Sequence, residues 1–248
     1  MAKSSGVILS LCLVVAVSAS GQQAPATPAG VLTSVLTTLG AAQLQGSTLS
    51  GLANSNAGST EDSGPFTATC SVNGSSRLDL QLSANLRTEQ RDVTSGVPSG
   101  YWTDGQGNQH SMAGHNLFTP ESWFCPAVAI SRIVQASNMD IQLIGEESRN
   151  GATVEHFRAE SIPSGTNAGS DLLVHLSQVD IYIDPETLRP VVLTFNLHPD
   201  TNASVDIPVE IRFSAYTQVG QVWTPMSIKR YVNGALGLDL EVQTASFK

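Results

Sequence analysis

The spacing of apolar and polar positions changes several times along the chain. Val7 to Val17 is an apolar run. Lys3 precedes it and the small residues Ser18, Ala19 and Ser20 follow. This is the three-part pattern of a secretory signal peptide, with Val17-Ser18-Ala19 supplying the small-x-small site. The run is shorter than the ~18 residues a membrane-spanning helix normally needs. The pattern predicts a removed signal peptide over 1–19, a disordered Gln/Ala/Pro linker over 20–29, and one domain over 30–248. Val31, Leu32, Val35, Leu36 and Leu39 then recur at helical spacing. Thr27 is placed to cap this helix, Pro28 suits its first position, and Gly40 is placed to end it.

From Ser47 onward the period drops to two. Strands are expected over 47–54, 65–73 and 76–83, where Leu78, Leu80 and Leu82 alternate with Asp79, Gln81 and Ser83. The stretch 85–93 alternates Leu86, Thr88 and Gln90 with Arg87, Glu89 and Arg91, and reads as a more exposed strand. Short strands follow at 100–103 and 109–112, around the turn-rich Asp104 to Asn108. A helical interruption is expected over 120–136, with Pro126 near its start or breaking it. Further strands are expected at 141–149, 152–161, 179–183, 190–197, 207–216, 226–232 and 238–247, with a short helical piece near 171–177. Asn73-Gly74, Asn150-Gly151 and Asn233-Gly234 are hairpin-turn pairs. In Asp184-Pro185-Glu186-Thr187 the proline sits at its favoured turn position. The connections are too short for parallel crossovers. The expected fold is mainly β (α+β): a curved antiparallel sheet of ten or eleven strands forming an incomplete barrel, with about three helices as a lid.

Charge narrows the partners. Without Lys3 the chain has 11 basic against 21 acidic residues, a net charge of −10, and its remaining lysines are Lys229 and Lys248. Nucleic acid and anionic headgroup surfaces favour basic patches, so neither is expected as a partner. An apolar ligand is not excluded. No apolar run after the signal peptide is long enough for an integral membrane segment. Cys70 and Cys125 remain after cleavage. In an oxidising compartment an even pair points to a disulfide, worth ~4 kcal/mol by the chain-entropy model, with two unpaired buried thiols as the alternative.

The order of features in the C-terminal half carries a resemblance. Ile183 to Pro190 reads Ile-Asp-Pro-Glu-Thr-x-x-Pro. Glu210 to Tyr216 follows, then the Val219-Gly220 turn, then Trp223-Thr224-Pro225 before the penultimate strand. With the N-terminal helix and mid-chain helix, this order resembles the periplasmic lipoprotein carriers of the LolA/LolB-like half-barrel superfamily. A second segment, Trp102 to Ala127, resembles a stretch in uncharacterised exported bacterial proteins. The resemblance implies a greasy concave face, lidded by helices, that shelters acyl chains or a lipoprotein anchor in the periplasm or outside the cell. It carries over no individual ligand-binding residue.

Catalytic signatures are missing: there is no Gly-x-Ser-x-Gly elbow, His-Glu-x-x-His or Walker loop. The aromatic and histidine-rich region is the candidate site, with Trp102, His110, His115, Trp123 and Phe124 as candidate ligand-binding residues. Phe124 and the tryptophans also suit simple core packing, where most aromatics are found. Asp104, His110 and His115 have the donor types of a zinc or copper site, but lack tight paired spacing. No cofactor or metal is therefore assigned. Three readings follow. The first is a non-catalytic binder of lipid or lipidated protein in the bacterial envelope. The second is an extracytoplasmic interaction or sensing module. The third is an enzyme or metal-binding protein using the Asp104, His110 and His115 region.

Overall fold

The computed structural model describes residues 26–58, 60–163, 165 and 168–248. The expected signal peptide and most of the linker lie outside the described residues. The first element among the described residues is α1 (Pro28–Thr38), placed as its capping pattern requires. Thr27 Oγ1 accepts from the Gly30 amide at 3.1 Å, and Pro28 takes the first turn. Removing that acceptor in Thr27→Ala leaves an orphan amide. The expected loss is about 1 kcal/mol, read as a melting-temperature drop of about 2–4 °C.

Six strands follow: β1 (Gly46–Ala57), β2 (Thr60–Ser71), β3 (Ser76–Gln81), β4 (Leu86–Thr94), β5 (Val97–Thr103) and β6 (Gln109–Ser111). A 3-10 helix at Gly114–Phe118 and α2 (Pro126–Gln135) form the mid-chain interruption. The helix expected over 120–136 is present but starts later, with Pro126 at its start, one of its two expected placements, and the 3-10 helix before it was not expected. Proline lacks the amide an interior helical position must donate, so Pro126 begins α2 instead of sitting inside a longer helix. The remaining elements are β7 (Met139–Arg149), β8 (Ala152–Ser161), α3 (Ala168–Ser177), β9 (Val179–Asp184), β10 (Arg189–Leu197), β11 (Ile207–Val219), β12 (Val222–Val232) and β13 (Ala235–Phe247).

The sheet has thirteen strands, more than the ten or eleven expected, and is unclosed and curved. Its order is β6-β5-β4-β3-β2-β1-β13-β12-β11-β10-β9-β8-β7. Every pair is antiparallel, and β1 against β13 joins the two halves of the meander. Asn150-Gly151 and Asn233-Gly234 both take positive φ at both positions, as the twist of a two-residue hairpin demands. Ser95-Gly96 does the same between β4 and β5. The pairing of β1 with β13 shifts register between Ser50 and Gly51, a bulge that bends the strand. Only glycine fits there, because a Cβ on Gly51 would collide with the Glu241 carbonyl.

The predicted alternation in β3 is met: Leu78 and Leu80 are buried, while Arg77 and Asp79 pair on the other face. One continuous core runs from Leu32, Val35 and Leu36 of α1 through Val128 and Ile130 of α2 to Phe157, Ile181, Leu193, Ile211 and Ile228 of the sheet. The helical stripe of α1 packs on α2, β7 and β10. Among the described residues, no helix is long and apolar enough to cross a membrane.

The disulfide expected between Cys70 and Cys125 is not formed. The two lie side by side as free, buried thiols, Cys70 on β2 and Cys125 capping α2. Both sulfurs are 3.0 Å from Ser47 Oγ, which bridges them. Burial pushes the Cys125 thiol well above its ordinary range, so it is held as the neutral form.

Candidate ligand-binding site

The helices fill only part of the space beside the sheet. A cavity of about 490 Å³ remains between the two arms of the meander. One side is built by Leu78 and Leu80 of β3 with Trp102 of β5. The other is built by Phe195, Val209, Val232 and Leu238 of β10 to β13. Met112, Asn116 and Trp123 close it from the segment between β6 and α2. The volume lies within the range of about 300–1,000 Å³ typical of small-molecule sites.

Charge enters the cavity from β4. Arg87, Glu89 and Arg91 occupy alternate positions, and all three line it. The sequence placed these on a more exposed strand; the alternation is correct, but the polar face looks into the cavity. Glu89 sits at the centre of a cluster. Its Oε1 accepts from Trp123 Nε1 at 3.2 Å, and its Oε2 accepts from Arg230 Nη1 at 3.0 Å. The Arg230 guanidinium also lies 4.8 Å from the Trp123 ring centre, within cation–π range. Arg91 is buried and donates to the carbonyl and hydroxyl of Thr119 at 2.8 and 2.9 Å. Burial works against the charge on Glu89. The fields of Arg230 and Arg91 and the Trp123 hydrogen bond outweigh it, and hold the carboxyl below its usual range. Neither Arg91 Nε nor Arg230 Nε has a hydrogen-bond partner among the described residues.

The five candidate residues separate. Trp102 and Trp123 line the cavity. His110 stands at the rim, stacked on Trp102 at 4.4 Å, with its Nε2 3.1 Å from Asp104 Oδ2. Phe124 is buried beside Trp123 in an edge-to-face contact and belongs to the core. His115 lies elsewhere: its Nε2 donates to the Pro199 carbonyl at 3.1 Å. The grouping of Asp104, His110 and His115 is thus divided. Asp104 also has a structural task, since its carboxylate accepts from the Gln106 and Asn108 amides and the Asn108 side chain. The Asn108 side chain, then His110, hold it well below the usual carboxylate range. The residues missed from the sequence are Glu89, Arg91 and Arg230. The available signal was three charges on one face of a β-strand, which is unusual unless that face is wet or lines a site.

No protein-family model matches the sequence, and no curated protein does. Solved structures do. A domain named as an outer membrane lipoprotein-sorting protein, from Vibrio parahaemolyticus, aligns over 89% of this chain and 92% of its own, with TM-score 0.53 and 11% identity. A DUF1329 family protein from Desulfovibrio piger aligns over the same shares with TM-score 0.55 and 10% identity. A LolA superfamily protein from Nitrosomonas europaea aligns over 88% and 93%, with TM-score 0.52 and 11% identity. With so few shared residues, the likeness lies in the path of the backbone, which in each case spans nearly the whole chain. The thirteen-stranded unclosed sheet with its helices has the same fold as these structures, the LolA superfamily protein among them.

Proposed function

We propose that this is an exported, non-catalytic protein of the bacterial envelope that shelters an acyl chain, of a lipid or a lipidated protein, in the cavity between the two arms of its sheet. The observation that carries this reading is the cavity itself. It is a space of about 490 Å³ with an apolar wall of Leu78, Leu80, Phe195, Val209 and Leu238 and charged groups from β4 and β12, which the protein's own side chains leave open. The fold shared with a lipoprotein-sorting domain and the N-terminal signal-peptide pattern support the same reading. Burying the chain of an amphiphile there removes apolar surface from water, and the Arg87, Glu89 and Arg230 side chains meet its polar end.

The test is displacement of a fluorescent fatty acid by saturated acids of increasing length. Each buried methylene contributes about 0.8 kcal/mol, so two more should tighten binding by about 15-fold until the cavity is full. Affinity that does not depend on chain length, or no uptake at all, counts against the proposal.

A further inference from the structure

The histidine from the 3-10 helix leads to a second cluster, whose side chains are not among those lining the cavity. His175 lies in the last turn of α3. His198 directly follows β10, and Asp206 directly precedes β11, so the loop between these strands brings the latter two together. Asp206 Oδ1 is 2.9 Å from His175 Nε2 and 3.2 Å from His198 Nε2. One donor atom from each residue lies within 4.8 Å of the others. We propose that His175, His198 and Asp206 bind a divalent transition-metal ion of the zinc class.

Three observations carry this. The donor set is two imidazoles and one carboxylate, which suits zinc and its first-row neighbours better than calcium or magnesium. Two of the three spacings are near what an ion needs: bonds of 2.0–2.1 Å in a tetrahedron put ligand atoms about 3.3 Å apart, and Asp206 Oδ1 lies 2.9 and 3.2 Å from the two imidazoles, which are themselves within 4.8 Å of each other. The third observation is His198. Its side chain has no exposed surface, yet neither ring nitrogen has a hydrogen-bond partner among the described residues. Buried polar atoms are rarely left so. Its Nε2 faces the Asp206 carboxylate without hydrogen-bond geometry, an arrangement an ion between them would satisfy.

The remaining position is open to water. His175 and Asp206 are about 40% exposed at their side chains, which gives an ion a way in. His115 flanks the cluster, its ring centre 5.9 Å from that of His198, but its Nε2 is engaged by the Pro199 carbonyl. An ion here ties α3 to the loop after β10. Asn116 holds that loop through the His198 backbone, with bonds of 2.8 and 2.9 Å, and Asn116 and Asp200 both line the cavity.

The experiment is zinc titration by calorimetry of the untagged, chelator-stripped chain lacking residues 1–19. It is repeated against a chromogenic competitor. The expected result is one zinc per chain at micromolar affinity or tighter, and tetrahedral d–d bands when cobalt replaces zinc. His175→Ala and Asp206→Asn change exposed side chains and should keep the fold by circular dichroism. Each should weaken binding by about 100-fold or more, since loss of even an outer supporting residue costs 10–100-fold. His110→Ala should leave it unchanged. No saturable binding overturns the proposal, and so does binding that survives the His175→Ala, Asp206→Asn double change. Neither result bears on acyl uptake, which is measured separately.

Discussion

Val232→Trp is expected to weaken uptake of a long-chain fatty acid by about 100-fold. Val232 ends β12, pairs with Val209 and Ala235, and lines the cavity from the β10 to β13 arm. A tryptophan there occupies space that the acyl chain would fill. Displacing about four methylenes of ligand at ~0.8 kcal/mol each removes about 3 kcal/mol, or about 100-fold in affinity. The variant should stay folded, because the added ring enters open volume rather than a packed core, where extra atoms usually cost about 1–3 kcal/mol. Fluorescent fatty-acid binding, with a thermal melt as the control for folding, measures both. Unchanged affinity in a folded Val232→Trp protein places the ligand somewhere other than this cavity.

The second large effect is on stability. Glu89→Ala removes the carboxylate that pairs with Arg230 and faces Arg91. It leaves two cations in the cavity wall and the Trp123 N–H without its acceptor. Breaking one member of a sealed ion pair costs about 3–5 kcal/mol. Glu89 keeps 26% of its side-chain surface exposed, so water entering the cavity compensates in part. The expected loss is about 2–3 kcal/mol, or a fall in melting temperature of about 4–12 °C. Its pH dependence has a definite sign. The folded carboxyl titrates below its usual value of about 4.5. The stabilisation is therefore complete above that pH and fades as pH falls through the depressed folded value. Wild-type and Glu89→Ala melting curves should converge in that acidic window and separate above it. A constant difference down to strong acid assigns the loss to packing rather than charge.

Much of the architecture is legible in local sequence. Asn150-Gly151 and Asn233-Gly234 announce their hairpins because few other residues accept positive φ at successive positions. Leu78 and Leu80 mark the inner face of β3 because strand side chains alternate, and the pattern carries on to buried Leu82 just past its end. Thr27 and Pro28 start α1 where their capping chemistry places it. Long-range features are not legible in the same way. Alternation in β4 separates Arg87, Glu89 and Arg91 from their neighbours, but not whether their face meets bulk water or a cavity. That depends on Arg230, which is 141 positions away in sequence. The serine in Ser95-Gly96 adopts a conformation it does not advertise. Cys70 and Cys125 are brought side by side as even cysteine count suggests, but they stand as free thiols that share Ser47 Oγ. The histidines show the same limit. His110 and His115 are close in sequence and part in space, whereas His175, His198 and Asp206 converge from three segments with no shared motif.

Native mass spectrometry of the chain secreted from a bacterial host tests the central claim most directly. The account predicts a population carrying one acyl-bearing molecule. That population should be restored by fatty acid after delipidation and absent in Val232→Trp. A wild-type protein found only at its own mass, both as purified and after incubation with fatty acid and diacyl lipid, contradicts it.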